Sequence, residues 1–428
     1  GSLSSKAQKI SVFWAFLMSL QIYEKLRCKM DAVKNSVLIV GGGIGGVAAA
    51  LACAKQGAQP HLIERARVFS EVGAGIQMGP NVTRILMAWG LETSLRHVVF
   101  APHRLHVRDA RSGNTLGALR LGQRSLETYG APYFTVHRAD LHQVLLAHVV
   151  NAGLAKLNLN CQIDEIHEDA QQITARGHHL SEGLVESFAT EAMVGADGLW
   201  SSTRQHVVPE TKPRATSLLA YRALVSMASL PESLRTSDVT VWLGPKLHAV
   251  LYPIRGGDFL NLVVIVHGQL PEHLESWDHA ANKHDLDLAM GSVHSELRNI
   301  LDAVEAWRLW PLSDRPPVRG ASEMAKGRIA LLGDAAHPMR PFLAQGAGMA
   351  IEDAAELAAC WARSDLTVSE RWQMYAKARW ARNAKVQQRA IRNGEIFHLQ
   401  GPMRWGRDLA MRMMGEPLID VPWLYSGP

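Results

Sequence analysis

Three glycines and one glutamate near the start of the chain have the types and spacing needed to bind a dinucleotide. Gly41, Gly43 and Gly46 follow an apolar run at 36–40 and fill the pattern G-x-G-x-x-G. The first glycine allows a tight turn, the second lets the backbone approach a pyrophosphate, and the third lets a helix pack against the strand. The N–H groups at the start of that helix then face the phosphates. Glu64 ends the next apolar run, roughly 20 residues on, where an acidic residue binds a ribose hydroxyl.

The elements that must position these residues recur further along the chain. Apolar strands ending in turns are predicted at 192–198 and 327–334, and a helix is predicted to begin near Gly346. Between them, the alternation from 216 to 266 predicts an antiparallel sheet. Residues 367–394 predict a long helix rich in Arg, Lys and Gln. A nucleotide-binding pattern on both sides of a β-rich insert predicts a discontinuous first domain.

The composition restricts the class of protein. The 428 residues are 47% hydrophobic and 20% charged, which is typical of a globular protein of more than one domain. The net charge of +5 is not gathered into basic runs. Nucleic-acid binding is therefore only weakly supported, and a basic cleft for an anionic small molecule fits as well. The four cysteines are far apart and have neither a metal spacing nor a C-x-x-C pair, so we predict no metal site and a cytoplasmic location.

The first 29 residues need separate treatment. The run from Ile10 to Ile22 is apolar, but at about 13 residues it is too short to span a bilayer. A signal peptide is an alternative because Lys6 and Lys9 precede the run, although no clear cleavage site follows it. Association with a membrane through this run is a further alternative. Met30 fits a natural start, so we expect residues 1–29 to be dispensable for function.

Two later segments form a set with the glycine pattern. The segment 195–204 contains Asp197-Gly198, and the segment 333–338 contains Gly333-Asp334. The three motifs, in this order, resemble those of the class A flavoprotein monooxygenases, which are FAD-dependent aromatic hydroxylases. Within that family the chain is most similar to the salicylate hydroxylase branch, through the phrases at 71–77, 242–245, 252–257 and 344–349.

The resemblance implies an α/β fold with a Rossmann-like FAD-binding domain of the glutathione-reductase type. An antiparallel-sheet substrate domain is inserted into it, and a C-terminal helical segment follows. We predict an N-terminal extension at 1–35, a discontinuous FAD-binding domain at 36–104 with 131–214 and 320–362, a substrate domain at 105–130 with 215–319, and a C-terminal helical region at 363–428.

The resemblance also implies which residues hold the cofactor. Asp334 binds the ribityl chain, Asp197 lies near the pyrophosphate, and Arg138 binds the phosphate and ribityl region. The helix after Gln345 faces the flavin pyrimidine edge and stabilises negative charge there. As alternatives, Asp334 caps a helix, the glycine-rich loop serves packing only, and Arg138 forms a surface ion pair. The predicted FAD-binding set is Gly41, Gly43, Ile44, Gly45, Gly46, Glu64, Arg65, Gln77, Arg138, Asp197, Gly198, Gly333, Asp334, Pro341, Gln345, Gly346, Ala347, Gly348 and Met349.

The implied chemistry belongs to the cofactor. NADH or NADPH reduces FAD, reduced FAD reacts with O2 to give a C4a-hydroperoxide, and the terminal oxygen passes to an electron-rich ring. A phenolate accepts that oxygen better than a phenol, so many relatives supply a base or a proton path. The sequence holds no second G-x-G-x-x-G unit, so we expect the nicotinamide cofactor to bind only transiently.

Three residues of the β-rich insert are the candidate catalytic residues. Tyr221 matches a pocket tyrosine of the hydroxybenzoate and hydroxynicotinate branches. Arg222 could pair with the carboxylate of a small aromatic acid or with a structural acid. His248 precedes a strand, and a lone histidine at such a position is more often structural than catalytic. Tyr252 is a further candidate for the pocket wall.

Four positions depart from the hydroxybenzoate and hydroxynicotinate branches. Ser217 stands where both have a catalytic histidine, and Gln77 and Phe342 stand where the hydroxynicotinate branch has histidines. Pro341 replaces a glutamine of the branch that hydroxylates 3-hydroxybenzoate at position 6. These differences argue against both activities and favour a salicylate-like substrate or a different ring. The alternatives are a heterocycle, urate or a polyene as substrate, or a flavoprotein that does not hydroxylate.

Overall fold

The computed structural model describes residues 33–69, 74–209, 212–269 and 279–428. The expectations for Ile10–Ile22 and Met30, and part of the phrase at 71–77, lie outside these residues. The strands are β1 Ser36–Val40, β2 Gln59–Ile63, β3 Gly75–Met78, β4 Val99–Phe100, β5 Arg104–Asp109, β6 Thr115–Arg120, β7 Phe134–His137, β8 Lys156–Asn158, β9 Cys161–Glu168, β10 Ile173–His179, β11 Val185–Thr190, β12 Ala192–Gly195, β13 Arg214–Ser226, β14 Val239–Gly244, β15 Leu247–Ile254, β16 Phe259–His267, β17 His279–Ala280, β18 Arg308–Asp314, β19 Ala325–Lys326 and β20 Ile329–Leu331.

The helices of the described residues lie on both sides of residue 280. They are α1 Ile44–Lys55, α2 Pro80–Ala88, α3 Glu92–Arg96, α4 Gly122–Tyr129, α5 Arg138–Asn151, α6 Arg204–Val207, α7 Lys283–Met290, α8 Ser295–Asp302, α9 Gly346–Trp361, α10 Val368–Phe397, α11 Gly401–Met414, α12 Glu416–Ile419 and α13 Pro422–Tyr425. In the described part of the chain, each helix is too short or too polar to span a lipid bilayer.

A six-stranded sheet carries the glycine turn. Its order is β19-β20-β12-β1-β2-β8, and all neighbours are parallel except β19 at the edge. The core strands are apolar on both faces because α1, α5 and α9 pack on one another beside the sheet, and the β9–β11 sheet contacts β1 and β2. The neighbours β20, β12 and β1 end at one edge, where Gly333-Asp334, Asp197-Gly198 and Gly41 follow them. Ligands of parallel α/β sheets bind outside the carboxyl ends of the strands.

An eight-stranded sheet forms the second layer, in the order β17-β18-β13-β16-β15-β14-β5-β6. Its neighbours are antiparallel apart from the parallel pair β14 and β5. One face packs against α7 and α8. The opposite face meets Phe342 and Phe397, which belong to the segments around α9 and α10. Since side chains alternate along a strand, adjacent residues of β13 point to different faces.

The predicted fold class is confirmed: the chain is a mixed α/β protein with an antiparallel-rich sheet and a C-terminal helical segment. The predicted helix at 367–394 is α10, which Thr367 begins with a capping box to Glu370. The domain boundaries given above remain predictions.

Candidate active site

The turn after β1 can be built only with glycine at its first position. Gly41 has a φ of 105°, and a Cβ there would lie 2.3 Å from the carbonyl oxygen of Ala196. A Cβ on Gly46 would lie 1.8 Å from the carbonyl oxygen of Gly41, so α1 touches the turn directly. Gly43 precedes the first residue of α1. The turn is thus a backbone surface with the start of a helix behind it, as a pyrophosphate site requires.

The residues around this turn divide into backbone and side-chain positions. Ile44 is buried in the core, and a Cβ on Gly45 would meet Leu332, so both can offer a ligand only their backbone. The Glu64 carboxylate accepts hydrogen bonds from the Gly42 N–H at 2.7 Å and from the Ala66 N–H at 2.7 Å. It therefore lies against the glycine turn, and its binding of a ribose hydroxyl stays a prediction. Arg65 is exposed.

The Asp197 side chain is used inside its own turn. Its carboxylate accepts from the Ser201 hydroxyl at 2.6 Å and from the Thr203 N–H at 3.0 Å. Gly198 has a φ of 76°, and the next turn leads into α6. Asp197 therefore shapes a turn whose backbone also borders Gly41.

Arg204 joins the second motif to the third, and the sequence analysis did not select it. Its buried guanidinium donates to the carbonyl oxygens of Ala335 at 3.0 Å and Ala336 at 2.7 Å. Burial lowers the pKa of Arg204. The signal was present, since Arg204 ends the segment 195–204 on which the resemblance rests.

Asp334 projects into a cleft beyond the end of β20. Its side chain is reached by solvent, yet protein surrounds it closely enough that desolvation raises its pKa. The charges of His337 and Arg138 act in the opposite direction. Arg138 begins α5 and its N–H donates to the Ala74 carbonyl oxygen at 2.9 Å. The structure therefore brings Asp334 and Arg138 together from positions 196 residues apart in the numbering.

A buried ionic network contacts the third motif, the segment 333–338. His337 hydrogen-bonds to the Asp353 carboxylate, which also accepts from the Gly333 N–H at 3.1 Å and from Arg379 at 2.8 Å. Arg379 also contacts Glu352 at 2.8 Å. Although burial alone would raise the pKa of Asp353, His337 and Arg379 hold it well below its usual range. The network was not predicted, because its members come from three different segments.

The N-terminus of α9 lies beside this motif. The first hydrogen bond within the helix is donated by the Met349 N–H to the Gln345 carbonyl oxygen at 2.8 Å. The N–H groups of Gly346, Ala347 and Gly348 precede that bond and stay available to a ligand. Two residues of the predicted FAD-binding set have side chains that point into the protein. Met349 is fully buried, and the Gln345 side chain accepts a hydrogen bond from Asn81 at 3.1 Å.

The loop before α9 completes this side of the cleft. Pro341 begins a short 3-10 turn that runs to Leu343. Ala344 follows with a φ of 52°, in the left-handed region, so the chain turns sharply into the helix. Phe342 of this turn is buried against the face of the eight-stranded sheet that carries Arg222.

The three candidate catalytic residues do not lie together. Arg222 and His248 share the sheet face that meets Phe342, together with Tyr252. Tyr221 points to the other face, where it packs edge-on against Trp307 in the core beneath α7 and α8. Burial raises the pKa of Tyr221. We therefore exclude Tyr221 from the substrate site around Arg222.

Arg222 is a charged side chain without a carboxylate beside it. Its Cζ lies 4.5 Å from the centre of the Trp310 ring, and its buried Nε has no hydrogen-bond partner. Among the described residues, no acid forms an ion pair with Arg222. Burial lowers the pKa of Arg222 to about 10, while Tyr252 acts against this lowering.

Gln77 and Tyr252 form the wall next to Arg222. Burial raises the pKa of Tyr252, and a hydrogen bond with Gln77 acts against that rise. Gln77 accepts a hydrogen bond from the Tyr133 hydroxyl at 2.6 Å. Gln77 therefore belongs to a polar cluster at the border between β3 and the sheet.

His248 has a partner that the sequence gave no reason to expect. Its Nδ1 lies 2.8 Å from Nε2 of His398, which follows α10. Its ring packs 5.0 Å from that of Phe342. His398 comes four residues after the predicted end of the long helix, so no sequence pattern connected it with the site.

The arrangement fits FAD. A glycine turn without room for a Cβ, an acid beside it, an accessible aspartate and a second helix N-terminus line one edge of the six-stranded sheet. Such a fold and site define a flavin-dependent oxidoreductase.

Comparisons with known proteins agree with this class. Residues 34–390 match the family model described as FAD binding domain. The 3-hydroxybenzoate 6-hydroxylase of Klebsiella oxytoca is 33% identical over 392 residues, which are 91% of this chain and 96% of that protein. The 6-hydroxynicotinate 3-monooxygenase of Bordetella bronchiseptica is 34% identical over 390 residues, covering 90% and 98%.

Solved structures share the fold. Klebsiella pneumoniae HpxO, complexed with FAD and uric acid, superposes with a TM-score of 0.77 at 23% identity, covering 90% of this chain and 94% of that one. A salicylate hydroxylase substrate complex gives a TM-score of 0.76 at 23% identity, covering 92% and 95%. The chain belongs to the FAD binding domain family, as a class A flavoprotein monooxygenase.

Proposed function

We propose that this FAD-dependent monooxygenase hydroxylates a small aromatic acid whose carboxylate binds Arg222. The observation that carries the proposal is the Arg222 guanidinium on the sheet face that meets Phe342: its buried Nε has no hydrogen-bond partner, and among the described residues no acid pairs with it. A buried cation without an anion is costly, and a carboxylate ligand removes that cost. A planar guanidinium is well suited to binding a carboxylate through two hydrogen bonds.

The surroundings of Arg222 suit an aromatic ring. Val263, Ile265, Trp310 and Phe342 pack together on the same face. Ligand sites commonly combine such apolar walls with a few polar groups that fix orientation. An apolar wall also keeps water from the reacting ring and so limits side reactions.

FAD, when bound, supplies electron transfer from NADH or NADPH and activates O2 for insertion into the ring. The Gly41 turn and Asp334 would hold the cofactor, with Arg138 beside them. The N-terminus of α9 would stabilise negative charge on a bound flavin with its free N–H groups and helix dipole. Arg222 orients the substrate.

The names of the relatives support an acid as the substrate class. The curated relatives above act on 3-hydroxybenzoate and 6-hydroxynicotinate, both aromatic acids. Ser217 replaces a histidine of both branches and Phe342 replaces one of the hydroxynicotinate branch, which favours a salicylate-like compound or a different ring. We also propose a cytoplasmic location, since Cys53, Cys161 and Cys360 are free thiols.

A substrate panel tests the function. Purified protein should be yellow, and salicylate or hydroxybenzoates should stimulate the oxidation of NADH or NADPH. One O2 should be consumed for each substrate molecule converted, and mass spectrometry should show one hydroxyl group added to the product. The matched hydroxybenzamides, which lack the carboxylate, should stimulate far less. Stimulation only by a heterocycle that lacks a carboxylate, such as urate, would refute the proposal that the substrate is an aromatic acid. Oxidation without any hydroxylated product would favour a flavoprotein that does not hydroxylate.

A further inference from the structure

Three histidines form a continuous hydrogen-bonded chain from the sheet interior to the surface. Nδ1 of His248 lies 2.8 Å from Nε2 of His398, and Nδ1 of His398 lies 3.0 Å from Nε2 of His267. His267 Nδ1 then lies 3.5 Å from the Ser217 hydroxyl. His248 is 1% exposed and His398 is 8% exposed, whereas His267 and Ser217 are exposed to solvent. This series of hydrogen bonds therefore connects the buried face of the sheet with solvent.

The position of His248 places the inner end of this chain at the proposed substrate site. On β13, β16 and β15, Arg222 shares a row with Val263 and Val250, and His248 stands in the next row opposite Ile265. Two strand spacings and two residues separate Arg222 from His248, which is about 12 Å between Cα atoms. Both side chains extend from the same face, so a ring whose carboxylate binds Arg222 would lie on the side of the sheet that carries His248. Among the described residues, Nε2 of His248 has no hydrogen-bond partner.

We propose that His248 accepts the phenolic proton of the bound substrate and that His398 and His267 relay a proton to solvent. This inference rests on the proposed function. Only His248 touches the substrate in this scheme; His398 and His267 act through it.

The proton balance needs no charged imidazole inside the protein. The substrate O–H bond breaks and Nε2 of His248 gains the proton. Nδ1 of His248 passes its proton to Nε2 of His398, and Nδ1 of His398 passes its own to Nε2 of His267. Nδ1 of His267 releases a proton to Ser217 or water. The substrate is left as a phenolate, and each ring has exchanged one tautomer for the other. The reverse transfer, which returns a proton to the product oxygen, restores the first set of tautomers.

The electrostatic surroundings keep the three rings neutral at neutral pH. Burial and the neighbouring imidazole lower the pKa of His248 well below its usual value. Burial, His267 and Arg407 lower the pKa of His398 to about 3. Burial and Lys246 lower the pKa of His267.

Charged groups of two other elements face the relay. Lys246 lies in the turn before β15, and its N–H donates to the His398 carbonyl oxygen at 3.3 Å. Arg407 of α11 donates to the Phe397 carbonyl oxygen at 2.8 Å and pairs with Asp408 at 2.7 Å. Neutral rings have one N–H and one bare nitrogen each, which is the state that a relay by tautomer exchange requires.

The variant His398→Gln tests the relay. A glutamine amide can hydrogen-bond to both neighbours but cannot exchange tautomers. With 3-hydroxybenzoate as the probe, kcat at pH 7 should fall by about 10²-fold, the usual contribution of a positioned proton-transfer group. The loss should shrink as the pH approaches about 10, where a phenol ionises in solution. With 3-aminobenzoate, which has no phenolic proton, kcat should fall little.

A second measurement does not depend on turnover. FAD-loaded protein is mixed with 3-hydroxybenzoate in weak buffer containing a pH indicator, without NADH. Wild type and the exposed control His97→Gln should release a proton rapidly, and His398→Gln should do so at least about tenfold more slowly. Added imidazole should restore the rate in His398→Ala, because it can fill the gap in the relay.

The outcomes separate this inference from the proposed function. If wild type neither hydroxylates any phenolic acid nor binds 3-hydroxybenzoate, the proposed function is wrong. If wild type does both while His398→Gln releases protons and turns over at the wild-type rate, the relay is wrong. The relay is also wrong if His398→Gln and His398→Ala lose FAD affinity and imidazole does not restore proton release, since His398 would then only clamp α10 to the sheet.

Discussion

Replacing Arg222 by methionine is the most direct test of the substrate site. Arg222→Met keeps a long, flexible side chain against Trp310 and removes the positive charge. Burial lowers the pKa of Arg222 to about 10. Each pH unit of that lowering corresponds to about 1.4 kcal/mol, so the unpaired charge costs the protein up to about 3 kcal/mol. A bound carboxylate can recover much of this cost.

The expected loss of affinity follows from the hydrogen bonds that the substrate carboxylate would lose with Arg222. Hydrogen bonds to charged groups are worth about 1.5–3 kcal/mol, and about 1.4 kcal/mol corresponds to a factor of ten in Kd. Arg222→Met should therefore raise the Kd of 3-hydroxybenzoate or salicylate by about 10- to 150-fold. Arg222→Lys should recover part of the affinity, since it restores the charge without the planar fork or the contact with Trp310.

The assay is a titration of the flavin absorbance in the absence of NADH. Each acid is compared with its amide, 3-hydroxybenzamide or salicylamide, in wild type and variant. The Kd of the amides should change little, because they carry no charge for Arg222 to bind. An acid that binds Arg222→Met as tightly as wild type would refute the role of Arg222. An equal loss for acid and amide would mean that the substitution has damaged the pocket and not the charge pair.

Four further predictions follow from the geometry. Gly41→Ala should weaken FAD binding by more than tenfold in a fluorescence titration of the apoprotein, because its φ of 105° and the 2.3 Å approach of Ala196 leave no place for a methyl group. Tyr221→Phe should leave the Kd of the acids unchanged, since this ring lies on the far face of the sheet; a clear loss would return Tyr221 to the site. Asp353→Asn should lower the free energy of unfolding by about 3–5 kcal/mol in urea titrations at pH 7. Since the pKa of Asp353 is depressed in the folded state, that stabilisation is complete at neutral pH and is lost as the pH falls below about 4. His398 has a folded pKa of about 3 and an unfolded one of about 6.5, so the unfolded chain binds the extra proton between these values. The free energy of unfolding should decrease from pH 6.5 downward by up to about 1.4 kcal/mol per pH unit, and the decrease should be smaller in His398→Gln.

The fold was predictable where local pattern decides it. The strands β1, β12 and β20 precede Gly41, Asp197 and Asp334. They are buried on both faces, so each appears in the sequence as an apolar run followed by a turn. The long helix was recognisable too, although it continues to Phe397. Its last turn lies on the sheet, and tertiary packing rather than propensity sets that boundary.

The substrate site was less predictable, for a physical reason. The strand around Tyr221 and Arg222 was recognised, and alternation alone requires the two side chains to face opposite sides. Which side meets the cofactor depends on α7 and α8, which cover the Tyr221 face. His398 could not be linked to His248 because 150 residues separate them and only the packed end of α10 brings them into contact.

The cofactor site is assembled from segments far apart in the chain, and this has a consequence for biosynthesis. The six-stranded sheet pairs β1 with β12, and β12 with β20, so its carboxyl edge forms only after residue 331 has been synthesised. Asp334 and the start of α9 follow later still. A nascent chain can pair β1 with β2 early, but one edge of β12 and the face of α1 that packs on α9 stay uncovered until most of its length has been synthesised. Because FAD would bind only the completed edge, it would stabilise the folded state by mass action. The yield of folded protein in a cell should then rise with the supply of FAD.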